Sequence, residues 1–83
     1  MLAQRTILLF AGAREAVGSD RLSVSVAPQA TAEQVLQAIG QAAPQLAGLL
    51  PACRLVADET YVAGDQLLSD SAELALIPPV SGG

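Results

Sequence analysis

The chain has 83 residues, four Arg, no Lys or His, eight Asp and Glu, and a formal net charge of -4, which leaves room for one domain and no second core. A pI near 4.3 with scattered arginines excludes the clustered positive charge that binds nucleic acid, and no run approaches the roughly 18 apolar residues of a membrane span. MLAQRTILLF is too short an apolar run for a signal peptide, and Cys53 has no second cysteine to pair with, so a soluble cytoplasmic protein with a Leu, Val, Ile and Ala core is expected.

Residues 5–10, RTILLF, form an unbroken apolar run that predicts a strand buried on both faces in the middle of a sheet, ended by Gly12. AREAVGSD predicts a turn of helix at most. In RLSVSV, residues 21–26, Leu22, Val24 and Val26 alternate with Ser23 and Ser25, the period of a strand with one wet face. The short connection between the two predicts an antiparallel pair.

The period then changes. Thr31 and Gln34 have the spacing of a capping box. Val35, Leu36, Ile39, Ala42 or Ala43, and Leu46 recur at helical spacing and predict one apolar stripe facing the sheet. Pro44 ends the regular helix near Ala43, and PQLAGLLP continues as irregular or short helical structure to Pro51.

CRLVA and TYV read as short strands around an ADET turn, and AGDQLLSDSA as a loop. ELALIP is the final strand, with Leu74, Leu76 and, as a further candidate, Ile77 facing inward, until Pro78 and Pro79 end ladder pairing. The sum is a small α+β domain with a helix across one sheet face.

Few residues offer chemistry. Without His or Lys, acid–base and nucleophilic roles fall to carboxylates or Cys53. Asp58, Glu59 and Asp65 lie close together, but acidic residues at turns mostly serve solvent and local hydrogen bonds. Cys53 reads as a buried structural thiol rather than a nucleophile, its neighbour Arg54 pointing to the opposite face if this is a strand. FAGAREAVG lacks the spacing of a phosphate-binding loop. No stand-alone catalytic site is expected.

The distinctive element is the end, PPVSGG. A terminal carboxylate is ionised at neutral pH and a poor electrophile. Activation as an acyl adenylate changes that, provided the group stands clear of the domain and passes through a narrow channel. Pro78 and Pro79 fix an extended exit, and Gly82 and Gly83 place no Cβ near the reacting carbonyl. Val80 offers a side chain to a pocket, and the backbone from Ser81 onward can bond along a groove.

At this point the sequence resembles a known family, the small sulfur-carrying subunits of molybdopterin synthase, which are ubiquitin-like β-grasp proteins. ILLFAGAREAVG is similar to the family's first strand and turn, TAEQVLQAI to its helix, and ELALIPPVSGG to its last strand and tail. The resemblance implies a β-grasp domain over residues 1–77, with a mixed sheet of four to five strands and one main helix. It also implies a flexible extended carrier tail over residues 78–83. It implies that Gly83 is adenylated by an E1-like adenylyltransferase using ATP and converted to a thiocarboxylate with sulfur from a persulfide sulfurtransferase. The sulfur would then pass to cyclic pyranopterin monophosphate inside the large catalytic subunit, in a heterotetramer with two copies of each chain. Gly82, Ser81, Val80, Pro79 and Pro78 would thread the tail, Phe10 and Arg14 would contact partners, and the carrier itself would bind no cofactor or metal. Two departures stand out. Asp58 occupies a position where Asn is common in the family, and DSAEL replaces an Asp-Gly-Asp-Glu-Val turn. Two alternatives are a sulfur carrier for thiamin or tRNA thiolation and a ubiquitin-like protein modifier; lacking Lys, the chain could not form Lys-linked chains with itself.

Overall fold

The computed structural model describes residues 2–78; Pro79, Val80, Ser81, Gly82 and Gly83, with the expectations attached to them, lie outside that range. In chain order the elements are β1 Ala3–Leu9, α1 Ala11–Val17, β2 Arg21–Val26 and α2 Ala32–Ala42. Two 3-10 turns follow, Pro44–Leu46 and Leu50–Ala52, then β3 Arg54–Ala57, β4 Thr60–Tyr61 and β5 Leu74–Ile77. The strands form one mixed sheet in the order β2-β1-β5-β3-β4. Thus the last strand inserts between the first and the third, parallel to β1 and antiparallel to β3.

The inner face is laid down by alternation. Ile7 and Leu9 of β1, Val24 and Val26 of β2, Leu55 of β3 and Leu74 and Leu76 of β5 are all buried, as the two-residue period requires. From α2 and the segment after it, Ala32, Val35, Ile39, Ala43 and Leu46 pack against this face, and Ala13, Ala30 and Leu68 complete the core. Burying each large side chain contributes about 2 kcal/mol.

The expected helix start is present in full. The Thr31 hydroxyl oxygen accepts from the Gln34 amide at 3.2 Å, and the Gln34 side chain accepts from the Thr31 amide at 2.9 Å. The helix ends with Ala43 as its C-cap, immediately before Pro44. β2 occupies residues 21–26 as expected and pairs antiparallel with β1.

Three expectations need correction. β1 runs from Ala3 to Leu9 and is buried on one face only, Gln4 and Thr6 being exposed and Leu8 half-buried. A run of apolar residues conceals this because Leu8, though apolar, sits on the uncovered face. Next, Gly12 does not end the strand: α1 is a two-turn helix containing it, closed by Gly18 at φ 82, whose amide bonds the Arg14 carbonyl at 2.8 Å. Seven residues would be marginal in isolation, and packing of Ala13 and Val17 against the core stabilises them. Finally, Ile77 is not inward-facing. It alternates with buried Leu76 and lies half-buried on the open face.

Candidate functional site

The register of β5 fixes the point from which residues 79–83 continue. Leu9 pairs with Leu76 in the parallel β1–β5 ladder, and Arg54 pairs with Ile77 in the antiparallel β3–β5 ladder. Pro78, the next residue, is buried. The C-terminal ends of β1 and β5 therefore share one end of the sheet. One step past the Leu9–Leu76 pair, Phe10 stands level with Ile77.

The ladders also define the open face. Arg21, Leu8, Ala75, Val56 and Tyr61 are successive partners across all five strands. Phe10, Ile77 and Arg54 form a shorter row beside them, nearer to the tail. Leu8, Ala75, Ile77 and Val56 are half-buried, whereas Phe10 and Tyr61 are 47% and 64% exposed. These side chains form an apolar patch on the face away from α2, bounded by the exposed Arg21 and Arg54. The clustering of these apolar side chains makes this face the candidate interaction surface.

Both residues expected to meet partners lie at this end. Phe10 is the N-cap of α1, in extended backbone, and Ala11 turns the chain with φ 47. That left-handed conformation costs a non-glycine residue roughly 1 kcal/mol, and Phe10 just before it is exposed. Arg14 is exposed one helical turn on, its amide bonded to the Phe10 carbonyl at 3.3 Å.

Sequence reasoning missed Leu8, Val56, Ile77, Arg54 and Tyr61 as members of this surface. Their signal was the alternation in RLVA and LALI, but which strands stand side by side is set by pairing between distant segments. Tyr61 holds the Arg54 guanidinium carbon 5.7 Å from its ring centroid, within the range of a cation–π contact.

The remaining candidates have structural roles. Asp58 and Glu59 occupy the β3–β4 turn with φ 50 and 66, the pair of positive values that a two-residue type I′ hairpin requires. Asp58 bonds to the backbone of Glu73, where an amide donates to its Oδ1 at 2.9 Å. Cys53 is half-buried ahead of β3 and packs against the core. Burial pushes its thiol pKa up, which suits packing and opposes nucleophilic attack. The cleft beside it, about 360 Å³, is lined mainly by apolar residues such as Leu36, Leu55 and Val62. Among the described residues, no three His, Cys, Asp or Glu side chains gather as metal ligands, and no helix is long and apolar enough to cross a membrane.

The ThiS family model matches residues 7–83. The Molybdopterin synthase sulfur carrier subunit of Dictyostelium discoideum is 31% identical, with all of both chains covered. The protein of that name from Chlamydomonas reinhardtii is 33% identical over 96% of this chain and 99% of its own. The crystal structure of SAMP1 from Haloferax volcanii superposes with a TM-score of 0.81 at 31% identity, covering 98% of this chain and 100% of that one. The Caldiarchaeum subterraneum ubiquitin superposes with a TM-score of 0.67 at 21% identity over the full length of both. That likeness establishes the ubiquitin-like β-grasp fold.

Proposed function

The chain belongs to the ThiS family, and we propose on that basis that it is the sulfur carrier subunit of a molybdopterin synthase. The observation that carries this reading is structural. A buried Pro78 ends the strand flanked by Phe10 and Arg54, so PVSGG continues from a fixed point beside an open apolar face. Full-length similarity to sulfur carrier subunits supports the assignment.

In this reading the domain supplies address and anchorage, and its partners supply the catalytic groups. An E1-like enzyme binds the open face and joins the Gly83 carboxylate to AMP from ATP, releasing pyrophosphate. The terminal sulfur of a donor cysteine persulfide attacks the carbonyl carbon and AMP leaves; a second thiol then attacks the donor cysteine's sulfur in the resulting acyl disulfide, forming a disulfide with it and releasing the thiocarboxylate. The tail then enters the large catalytic subunit, where the sulfur passes to cyclic pyranopterin monophosphate. Gly82 and Gly83 keep the reacting carbonyl accessible, while Pro78, Pro79, Val80 and Ser81 steer it. Phe10 and Arg14 bear on whichever partner is docked.

Intact-mass measurement after incubation with ATP, the cognate E1-like enzyme and a persulfide source tests this. Exchange of one oxygen for sulfur, abolished when Gly83 is deleted, is the expected result. An unchanged mass with a demonstrably active enzyme overturns it. Similarity to SAMP1, the small archaeal modifier protein 1 of Haloferax volcanii, favours one further reading, in which Gly83 is joined to lysines of other proteins. Adducts on lysine in the same reaction, supplemented with cell extract, would distinguish it.

A further inference from the structure

β2 is the outer strand on one side of the sheet, and its edge is regular from Arg21 to Val26 with no Pro or Lys to guard it. The Leu9 amide donates to the Asp20 carbonyl at 2.9 Å, in the register that continues through the β1–β2 ladder. Antiparallel bonding alternates, so Leu22, Val24 and Val26 turn their backbone groups toward β1, while Ser23 and Ser25 present N–H and C=O outward. Both serine side chains lie on the exposed face of the strand.

Beside this edge, on the covered side of the sheet, a groove of about 260 Å³ runs between β2 and α2, lined by Leu2, Val26, Ala30, Ala38 and the side chains of Gln34 and Gln37. Leu2 is 66% exposed. An apolar seat next to outward backbone groups is what an extended peptide needs to join a sheet as a further strand.

Residues 79–83, PVSGG, have the matching pattern. Laid antiparallel to β2 with Ser81 opposite Ser25, Gly83 falls opposite Ser23 and Val80 opposite Val26. Ser81 and Gly83 then meet both outward backbone pairs, Val80 enters the groove, and Ser81 joins the serines on the wet face. Pro79, which has no N–H to give, falls opposite Ala27, beyond the end of the strand. A slip of one residue would turn Val80 out to water. The chain's own edge is out of reach. Val26 pairs with Ala3, whereas Pro78 lies past the Leu9–Leu76 pair, about 23 Å away along β1, and Val80 is only two residues from Pro78.

We propose that PVSGG of one copy adds as a strand to the β2 edge of a second copy, with Val80 in the groove between Leu2, Val26 and Ala38. The contact is heterologous and links copies head to tail; it is small, so association is weak and depends on concentration. The carboxylate that the carrier reading places on Gly83 points along the edge toward Arg21. Asp20 precedes that arginine, and Asp70 and Glu73 share its cleft, so the charge contact adds little. Only this contact rests on the carrier reading; the strand and the groove do not. On that reading, a C-terminus held as a strand is withheld from adenylation.

The test titrates the isotope-labelled full chain with the acetylated peptide PPVSGG, residues 78–83, and follows amide chemical shifts. Saturable shifts centred on Ser23, Ser25 and Ala27 are expected. Val80→Ser in the peptide, or an N-methyl group on its Ser81 nitrogen, should each weaken binding about fivefold, and amidating its C-terminus about twofold. In the protein, Ser25→Pro removes an edge donor that the β1 ladder does not use and should abolish the shifts. Thermal melting checks its fold, and the peptide variants decide the point if it does not fold. Sedimentation of the full chain should show concentration-dependent association that is lost when residues 79–83 are deleted. No shifts at millimolar peptide, shifts confined to the open face around Leu8 and Val56, or self-association that survives the deletion would each overturn the proposal. The thiocarboxylate chemistry is read independently by intact mass, so the two readings fail separately.

Discussion

Asp58 and Glu73 are joined by two hydrogen bonds. The Asp58 amide donates to the Glu73 carbonyl at 2.9 Å, and the Glu73 amide donates to Asp58 Oδ1 at 2.9 Å. The two local departures from the carrier family, an Asp at position 58 and DSAEL before β5, therefore meet in space. Asp58→Ala removes the acceptor and should lower stability by about 1 kcal/mol, read from urea denaturation. Asp58→Asn keeps an acceptor in a residue that tolerates positive φ and should remain within a few tenths of a kcal/mol of the parent, about the effect of a neutral surface change.

Arg5 ties the same turn from beneath. Its buried guanidinium donates to the Ser69 carbonyl at 2.9 Å and the Ala72 carbonyl at 3.0 Å. Arg5→Met keeps most of the apolar stem but removes both charge-assisted bonds, and should destabilise by about 2 kcal/mol. An unchanged denaturation midpoint would show that water replaces the guanidinium without loss.

Phe10 offers a separation of fold from function. Its side chain is 47% exposed and stands outside the buried core, so Phe10→Ser should shift stability by no more than about 0.5 kcal/mol. The same change should weaken partner-dependent thiocarboxylate formation by tenfold or more, since exposed aromatic residues carry much of an interface's energy. Intact-mass kinetics and thermal melting, measured together, decide the point.

Cys53 should make stability depend on pH in the alkaline range. Burial raises its folded-state pKa, so the unfolded chain releases this proton first as pH rises. The unfolded state then binds fewer protons than the native state, and stability falls with increasing pH. The contribution is complete below the unfolded thiol pKa, near 8.5, and is lost as pH passes through the folded value. Cys53→Ser should flatten that part of the profile, and alkylation of the native thiol at neutral pH should be slower than that of an unfolded control.

The sequence by itself determined whatever depends on neighbours within a few residues. Alternation placed β2 at residues 21–26, Thr31 and Gln34 declared their capping box, and Pro44 stopped α2. The tertiary structure decided everything that needed the β1–β5 pairing: that Leu8 and Ile77 face outward, that Phe10 flanks the root of the tail, and that Arg21, Arg54 and Tyr61 share one surface. Local periodicity states that a strand has two faces. Which face is covered, and which strand lies alongside, depends on contacts between residues far apart in the chain; a run such as ILLF, apolar on both sides, gives no local sign of the choice.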